Sequence, residues 1–374
     1  MIYLDNASTT KPSEAAIRAA SDAFENFGNP SSLHNLGMAA EKIVTGSRRK
    51  ISAAIGVPAK NLYFTSGGTE SNNTAIFGAA KALGKRGRHI ITSKIEHPSV
   101  YEPFLSLENE GFDVDFIKVM RNGRIDIDDF ESRLREDTIL VSCMHVNNET
   151  GVIQPVDKLK EIMRKKSPNA FLHVDAVQSF CKIPVRPKEW GVDIMSISGH
   201  KIGGIKGTGG LYITGSKIRP YIMGGGQQAN MRSGTENVPG IAAFGAAAES
   251  FGMGDTVKMR NYLRDRIKNE IENVVFNGDN EYNCGYILNV SFLGIKAEIL
   301  LHSLEKHGIY VSTGSACSSN KPMPSRTLTE MGASDKETTG AVRFSLNADI
   351  TKEDTDFCIE KLKEELSVIR RYMR

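Results

Sequence analysis

Short apolar runs alternate with amphipathic segments along the chain up to about residue 250. Runs rich in Val, Ile, Leu and Phe, bounded by turn residues, predict strands at 61–65, 89–92, 112–117, 138–142, 170–174, 192–195 and 211–214. Helix-like apolar spacing occurs before and between these runs, at 39–55, 66–80, 125–134 and 156–164. Because apolar strands that alternate with helices form a mostly parallel sheet covered on both faces, the pattern predicts an α/β fold.

The pattern changes near residue 252, where a long charged helix is predicted at 257–274, followed by strands at 285–292 and 341–345. A last helix starts at Thr351, with Asp354 in the capping-box position. Its apolar residues recur at spacings of three and four, at Ile359, Leu362, Leu366, Ile369 and Met373. We therefore predict a large domain of residues 16–255 and a smaller α+β domain formed by residues 1–15 and 256–374.

Composition and charge exclude several classes of protein. The chain has 374 residues, of which 40% are hydrophobic and 24% charged, as in ordinary globular proteins. A net charge of +3 is too small to indicate direct nucleic-acid or anionic-membrane binding. No apolar run approaches the roughly 18 residues of a membrane span, and no signal peptide is visible. The five cysteines are widely spaced without a Cys-x-x-Cys pair, so we expect a cytoplasmic protein without disulfides or structural zinc.

Lys201 ends the stretch Ser-Ile-Ser-Gly-His-Lys, between the apolar run 192–195 and the glycine-rich turn 202–210. It therefore lies where a buried strand breaks into a loop, at the sheet edge where ligands collect in parallel sheets. A lysine amine with a lowered pKa is nucleophilic and can carry a carbonyl cofactor as a Schiff base. From this stretch alone, a surface lysine beside a turn explains the pattern equally well.

The turn Gly67-Gly68-Thr69 follows a predicted strand and opens a helix. Free backbone N–H groups at such a helix start bind anions, and the Thr69 hydroxyl adds a donor. No Gly-Lys-Ser/Thr follows and Gly-x-Gly-x-x-Gly is absent, so a single phosphate fits better than a nucleotide. A plain helix start is the alternative.

Asp175 ends an apolar strand, and Gln178 follows three residues later. A carboxylate in that position is costly unless it is paired, and an Asp partner for a protonated ring nitrogen is one mark of pyridoxal phosphate sites. The alternative is an Asp that caps the next helix. His97 precedes Pro98 on a predicted loop, where an imidazole could stack on a cofactor ring, move a proton or be structural.

Cys317 lies in a small, polar stretch rich in turn formers, 312–322, where a thiol is available as a nucleophile. We expect the other four cysteines to be inert. Arg343 in a late strand could bind a carboxylate bidentately or form a surface ion pair. Together these residues offer a phosphate-binding turn, a partner for a ring nitrogen, an imidazole that can stack on a ring, a Schiff-base lysine, a carboxylate-binding arginine and a nucleophilic thiol. No purely structural role requires all six.

In this order, the motifs resemble the cysteine desulfurases, pyridoxal phosphate enzymes of the class V aminotransferase type that supply sulfur for iron–sulfur clusters and tRNA thiolation. The resemblance runs nearly from end to end. It is carried by Tyr3-Leu4-Asp5-Asn6, Gly68-Thr69-Glu70-Ser71-Asn72, Glu96-His97, Asn147-Asn148-Glu149-Thr150-Gly151, His173-Val174-Asp175-Ala176-Val177-Gln178, Ser198-Gly199-His200-Lys201, Arg232-Ser233-Gly234-Thr235-Glu236-Asn237, Gly314-Ser315-Ala316-Cys317 and Val342-Arg343-Phe344-Ser345.

The resemblance implies a homodimer of the aspartate-aminotransferase fold (fold type I) with pyridoxal 5'-phosphate as cofactor. Lys201 would hold the cofactor covalently, His97 would stack on its ring, Asp175 would pair with the ring nitrogen and Gln178 would bond the ring oxygen. The phosphate would be held by a set of backbone and side-chain donors, with one residue reaching across from the other subunit: Gly68, Thr69, Ser198, His200 and, from the partner, Thr235.

For the substrate, the resemblance implies that Asn148 and Arg343 bind the carboxylate of L-cysteine. Cys317 would take the sulfur as a persulfide, and L-alanine would leave. The sulfur would pass to an acceptor protein, an iron–sulfur scaffold or a tRNA-thiolating enzyme, and Cys317 could contact a nascent iron–sulfur cluster; no resident metal is expected.

The chain departs from the family's usual pattern at Ile205, at Gln228-Ala229-Asn230 and at Cys181, which replaces a common glycine. Other readings remain open at this point. A selenocysteine lyase, or another pyridoxal phosphate lyase or aminotransferase of the same fold, shares most of the motifs, although aminotransferases need no loop thiol. A non-catalytic scaffold predicts loss of Lys201, Asp175 or Cys317, all of which are present.

Overall fold

The computed structural model describes residues 1–215, 218–313 and 324–372. The strands in these ranges are β1 (Ile2–Tyr3), β2 (Leu62–Thr65), β3 (His89–Ser93), β4 (Asp113–Ile117), β5 (Thr138–Met144), β6 (Phe171–Asp175), β7 (Ile194–Ser198), β8 (Gly209–Ile213), β9 (Val274–Asn277), β10 (Ile287–Phe292), β11 (Ile309–Tyr310), β12 (Ser312–Thr313) and β13 (Ala341–Ser345). The helices are α1 (Glu14–Glu25), α2 (Asn35–Ala54), α3 (Gly68–Leu83), α4 (Pro98–Asn109), α5 (Ile127–Arg133), α6 (Val156–Lys166), α7 (Val238–Ser250), α8 (Thr256–Glu270), α9 (Ala297–Glu305), α10 (Arg326–Glu330), α11 (Asp335–Thr339) and α12 (Lys352–Tyr372).

The larger sheet has the order β2-β8-β7-β6-β5-β3-β4. Its strands from β7 to β4 are parallel, whereas β8 runs antiparallel to both of its neighbours. The predicted mostly parallel sheet of an α/β fold is therefore confirmed. In the register of β6 and β7, Asp175 lies opposite Ser196, so these two strands end at the same edge of the sheet.

Successive residues of the central strands point into two different cores. Ile90, Leu140, Ile194 and Leu211 pack with α3 and α4 on one face. Their neighbours in sequence pack with α1, α2, α6 and α7 on the other face, and are Ile91, Val141, Met195 and Tyr212. Because side chains alternate across a strand, a sheet covered on both faces needs continuous apolar runs, which is the pattern read from the sequence.

The smaller sheet is antiparallel in the order β12-β13-β10-β9. Its core is built from α8, α9 and α12, and also contains Ile2 and Leu4 from the start of the chain, where β1 pairs with β11. On this distribution of the cores we propose the division into residues 16–255 and residues 1–15 with 256–374. Thr351 and Asp354 form the predicted capping box at the start of α12, and the predicted apolar face is buried up to Ile369; Met373 lies outside the described residues.

Some predicted boundaries were wrong. The predicted helix 257–274 ends at Glu270, because Ile271 already has an extended backbone (φ −125°, ψ 119°), and β9 begins at Val274. The pattern also missed α4, which contains Pro103, and α7, which is buried on most sides and lacks an amphipathic stripe. Among the described helices, none is long and apolar enough to cross a membrane.

Candidate active site

Lys201 lies in a single helical turn, Gly199–Lys201, directly after β7. Its Nζ donates hydrogen bonds to the carbonyl oxygens of Ala7 (2.6 Å) and Ser8 (2.7 Å). The N-terminal arm therefore crosses the carboxyl edge of the larger sheet and fixes the amine there. This is the edge at which open α/β sheets bind ligands.

The start of α3 lies beside Lys201's strand. Gly67 adopts φ 156° and ψ −178°, which only glycine tolerates, and Gly68 is the first helical residue. A Cβ at Gly68 would lie 2.8 Å from Cγ2 of Val177 and 3.8 Å from Cβ of Ser198. The backbone at the start of α3 therefore lies close to the residue that follows Ala176 and to the end of β7. The Ser198 hydroxyl is buried without a hydrogen-bond partner. The free helix N–H groups and this hydroxyl suit an anion; Thr69 is exposed at the same helix start.

Asp175, at the end of β6, is 6% exposed and accepts hydrogen bonds from Val177 N (2.9 Å) and Asn72 Nδ2 (2.8 Å). Asn72 also donates to Ser99 Oγ (2.8 Å), which in turn is bonded to Nδ1 of His97 (2.8 Å). The carboxylate and the imidazole are thus joined through two buried side chains. Sequence reasoning did not assign a role to Asn72 or Ser99, although Asn72 lies in a quoted motif.

The two histidines of the site are held differently. His97 precedes α4 and its Nδ1 caps that helix by accepting from Ser99 N (3.1 Å). Burial lowers the pKa of His97, and Asp175 counteracts this effect. His200 lies 3.2 Å from Thr9 Oγ1 through its Nδ1. Burial, with the nearby charge of Lys201, lowers the pKa of His200 to about 4, so its imidazole is neutral at pH 7.

Gln178 follows β6 and donates through Nε2 to the carbonyl of Ala7 (2.9 Å). Its Oε1 is buried without a partner, as is the Ser198 hydroxyl. Buried polar atoms are ordinarily paired, since leaving one unpaired costs about 1–3 kcal/mol. Two such atoms at one sheet edge are the mark of a site built for a polar ligand.

Arg343 in β13 is 5% exposed and reaches the same arm. Its guanidinium donates to Asp5 Oδ1 (2.7 Å), Ser8 Oγ (2.7 Å) and the carbonyl of Asn148 (2.8 Å), while its Nε is buried without a partner. The ion pair is therefore buried rather than at the surface. Asn148 contributes its main chain to this contact.

Thr235 is exposed and lines a cavity of about 100 Å³ together with Thr65 and Ser66. Its loop is tied to β2 by Gln228, whose Oε1 accepts from Phe64 N (2.8 Å) and whose Nε2 donates to Glu236. Gln228, Ala229 and Asn230 all have positive φ, at 48°, 52° and 65°.

Two further titratable groups border the site and were missed from the sequence. Glu96 is 2% exposed, and burial raises the pKa of its carboxyl to about 8. It accepts from Ser93 Oγ (2.8 Å) and Met144 N (3.0 Å). Desolvation, together with the nearby charge of Lys201, lowers the pKa of Lys182 to about 7. In the sequence, the features that pointed to these two groups were an acidic residue directly before His97 and a lysine four residues after Gln178.

Cys317 lies outside the described residues. The other cysteines, Cys143, Cys181, Cys284 and Cys358, are free thiols, and burial raises the pKa of each. The pKa is about 12 for Cys181 and Cys358. Since the thiolate is the nucleophile, none of these four is activated.

The chain matches the family "Aminotransferase class-V" over residues 2–357. It is 42% identical to "Cysteine desulfurase IscS" of Dictyoglomus turgidum, over 99% of this chain and 95% of that protein. The chain belongs to the class-V aminotransferase family and, within it, to the cysteine desulfurases.

Solved structures agree with this assignment. A "NifS-like protein" has a TM-score of 0.92 at 36% identity and covers 98% of this chain and 99% of its own. "SspA in complex with cysteine" has a TM-score of 0.84 at 31% identity and covers 93% of this chain and 99% of its own. The fold-type-I prediction is confirmed.

Proposed function

We propose that the carboxyl edge of the larger sheet holds pyridoxal 5'-phosphate and converts L-cysteine to L-alanine, with the sulfur passing to Cys317. The observation that carries the proposal is the presence, at one edge, of the anchored Lys201 amine, the Asp175 carboxylate and the unpaired atoms of Ser198 and Gln178. Family membership, which implies this cofactor, supports the same reading.

The residues present fit the cofactor group by group. The Ser198 hydroxyl, the backbone at Gly68 and neutral His200 suit its phosphate, with Thr69 at the same helix start. Asp175 is oriented by hydrogen bonds from Val177 N and Asn72, which suits a carboxylate that pairs with a protonated ring nitrogen. When bound, pyridoxal phosphate supplies an electrophilic carbon for an amine and an electron sink for the substrate.

The remaining two ring contacts use groups already in place. The unpaired Gln178 Oε1 is available to accept a hydrogen bond from the hydroxyl of the ring, while Nε2 stays bonded to the carbonyl of Ala7. His97 is fixed by Ser99 and carries a lowered pKa, so it presents a neutral imidazole that can stack on the ring or move a proton.

The substrate carboxylate is assigned to Arg343 and Asn148. Arg343 is buried, has an unpaired Nε, and is oriented by Asp5 and Ser8. The unpaired Nε–H can donate to a carboxylate oxygen, and Nη2 completes a two-bond contact by exchanging one of its bonds to Asp5 or Ser8, which fixes the amino acid's orientation. The Lys201 amine would serve as the base that takes the proton from the substrate's α-carbon.

In the sulfur-transfer step, the Cys317 thiolate attacks the substrate sulfur. An S–S bond forms and the C–S bond breaks, and its electron pair stays with the substrate carbon, which takes up a proton. L-cysteine and the Cys317 thiol thereby become L-alanine and the Cys317 persulfide. The other cysteines in the described ranges have thiols of raised pKa, which supports Cys317 as the nucleophile.

A second copy of the chain completes the site. The turn between α1 and α2 exposes large apolar side chains, with Phe27 78% and Leu33 95% exposed, and Phe24, Leu36 and Met38 nearby. An exposed apolar group of this size marks a protein interface, and a homodimer covers it. In that assembly the exposed Thr235 reaches the partner's phosphate site.

The persulfide then passes to an acceptor protein, either an iron–sulfur scaffold or a tRNA-thiolating enzyme, in the cytoplasm. The free thiols of Cys143, Cys181, Cys284 and Cys358 fit a reducing compartment.

The test is paired. The visible absorbance of the purified protein is recorded, and sulfide release from L-cysteine with a thiol reductant is compared for the wild type, Cys317→Ala and Lys201→Ala. We expect a yellow Cys317→Ala variant that releases almost no sulfide and a Lys201→Ala variant without the Schiff-base band. A colourless wild type contradicts the cofactor, and sulfide from Cys317→Ala contradicts the nucleophile. Faster turnover of L-selenocysteine favours the selenocysteine lyase.

A further inference from the structure

The segment that follows Cys317 in sequence enters the described structure at residue 324 and is fixed at residues 325–327. Ser325 Oγ donates to Oε2 of Glu149 (2.5 Å), and Thr327 Oγ1 donates to its Oε1 (3.0 Å). Both carboxylate oxygens of one residue therefore hold the start of α10. Ser325 also caps this helix by accepting from Leu328 N (3.1 Å).

Arg326 makes a second attachment. Its Nε donates to the carbonyl of Lys94 (2.7 Å) and its Nη2 to the carbonyl of Glu96 (2.8 Å). The guanidinium also lies 3.5 Å from the ring centroid of Tyr101 in α4. A planar guanidinium that bridges two carbonyls and lies on a ring has one orientation, which a lysine cannot reproduce.

The two attachments meet the loops that carry site residues. Glu96 precedes His97, and Glu149 follows Asn148, whose carbonyl accepts from Arg343. At the other end of the segment, Ser312 of β12 pairs with Arg343 of β13. Residues 325–327 are thus tied to the neighbours of the ring-stacking histidine and of the carboxylate-binding pair.

We propose that Arg326 and Glu149 are positioning residues that hold residues 325–327, which follow Cys317 in sequence, against the loops of His97 and Asn148 and thereby set the rate of sulfur transfer. The inference rests on the proposed function, because Cys317 must be the sulfur acceptor. An attacking atom must come within about 3–3.5 Å of its target, and a misplacement of about 1 Å costs up to a hundredfold in rate.

The experiment follows one turnover of the cofactor-loaded enzyme with L-cysteine. Persulfide on Cys317 is trapped by alkylation and measured by mass spectrometry, while the change in the cofactor's absorbance reports substrate binding. Arg326→Ala is expected to form persulfide about tenfold more slowly, with an unchanged absorbance change, cofactor content and Tm. Glu149→Ala is expected to behave likewise. Glu149→Gln keeps an acceptor oxygen, so its rate of persulfide formation should fall less than that of Glu149→Ala.

Two variants distinguish the positioning role of Arg326 from other roles. Arg326→Lys keeps the positive charge near His97 but not the two-carbonyl bridge, so it should remain several-fold slow. Arg121→Ala removes a different contact between the same parts of the chain, the ion pair with Glu337 (2.5 Å), and should be as fast as the wild type.

The outcomes are distinct. A wild type that forms no Cys317 persulfide overturns the proposed function. If the wild type forms the Cys317 persulfide and Arg326→Ala forms it equally fast, the positioning role of Arg326 is overturned and the proposed function stands. If Arg326→Lys forms persulfide at the wild-type rate, or if Arg326→Ala has a shifted pH profile, the effect comes from the charge of residue 326 acting on His97. Either result also overturns the positioning role of Arg326. A parallel loss of Tm or cofactor content makes the contact merely structural.

Discussion

Asn72 Nδ2 lies 2.8 Å from Oδ2 of Asp175, although the two residues are far apart in sequence and belong to α3 and β6. The same amide donates its other hydrogen to Ser99 Oγ (2.8 Å). Asn72 is 1% exposed, so water cannot replace either bond. One buried amide therefore sets the orientation of the carboxylate and, through Ser99, of the His97 ring.

Replacing Asn72 by Ala should weaken pyridoxal phosphate binding. A hydrogen bond to a charged group contributes about 1.5–3 kcal/mol, which corresponds to roughly a tenfold to hundredfold rise in the cofactor's Kd. The measurement is a titration of the apoenzyme with pyridoxal phosphate. Asn73→Ala is the control, because within the described residues the neighbouring Asn73 amide donates to the carbonyls of Thr69 and Ser99 and not to Asp175. Equal affinity in both variants would show that Asn72 does not orient Asp175.

This contact explains what the sequence could and could not predict. Asp175, Ser198 and Lys201 each follow an apolar run, and parallel strands end at one edge, so their proximity follows from periodicity alone. The partners that hold them come from distant elements: Asn72 from α3, and the carbonyls of Ala7 and Ser8 from the N-terminal arm. Every residue has a main-chain carbonyl, so side-chain identity does not indicate which carbonyls act as acceptors. The contacts that hold the Lys201 amine therefore could not be predicted from the sequence.

The stability of the protein should depend on the protonation of His173. This residue is fully buried in β6, with Nδ1 2.8 Å from Ser142 Oγ and Nε2 3.0 Å from Ser196 Oγ. Burial lowers the pKa of His173 to about 3, below its ordinary value of about 6.5. The unfolded state therefore binds the proton more readily, so the contribution is complete above pH 6.5 and is lost as the pH falls towards 3.

His173 alone is expected to contribute a loss of about 2 kcal/mol in the free energy of unfolding between pH 7 and pH 5, from a slope of about 1.4 kcal/mol per pH unit. Urea unfolding at the two pH values measures it. His173→Asn should lose less stability than the wild type over this interval, even if it is less stable at pH 7. His302→Asn, at an exposed histidine, should follow the wild type. Identical pH slopes in all three proteins would contradict the assignment.

Cys181, which replaces the family's usual glycine, adopts φ 60°. This left-handed conformation costs a residue with a Cβ about 1 kcal/mol, and glycine avoids that cost. Cys181→Gly should therefore have a free energy of unfolding about 1 kcal/mol higher than that of Cys181→Ala, since both variants lose the thiol. In helix α12, the same pair of changes at Cys358 should give the opposite order. The same order at both positions would contradict the backbone argument.

Arg343→Lys separates the buried guanidinium's geometry from its charge. Lysine keeps the charge but cannot bond Asp5, Ser8 and the carbonyl of Asn148 together as the Arg343 guanidinium does, and it has no counterpart to the unpaired Nε. Losing a bidentate carboxylate contact should raise KM for L-cysteine by about tenfold to a hundredfold, with a smaller change in kcat.

Asn148→Ala is the matched comparison, because its contact with Arg343 uses the main chain and survives the substitution. Any rise in KM in that variant reports only the side chain's own contact with substrate, and should be smaller than in Arg343→Lys. Steady-state kinetics on enzyme of equal cofactor content measures both. If Arg343→Lys leaves KM unchanged, the carboxylate binds elsewhere, and the buried pair with Asp5 serves the fold rather than the substrate.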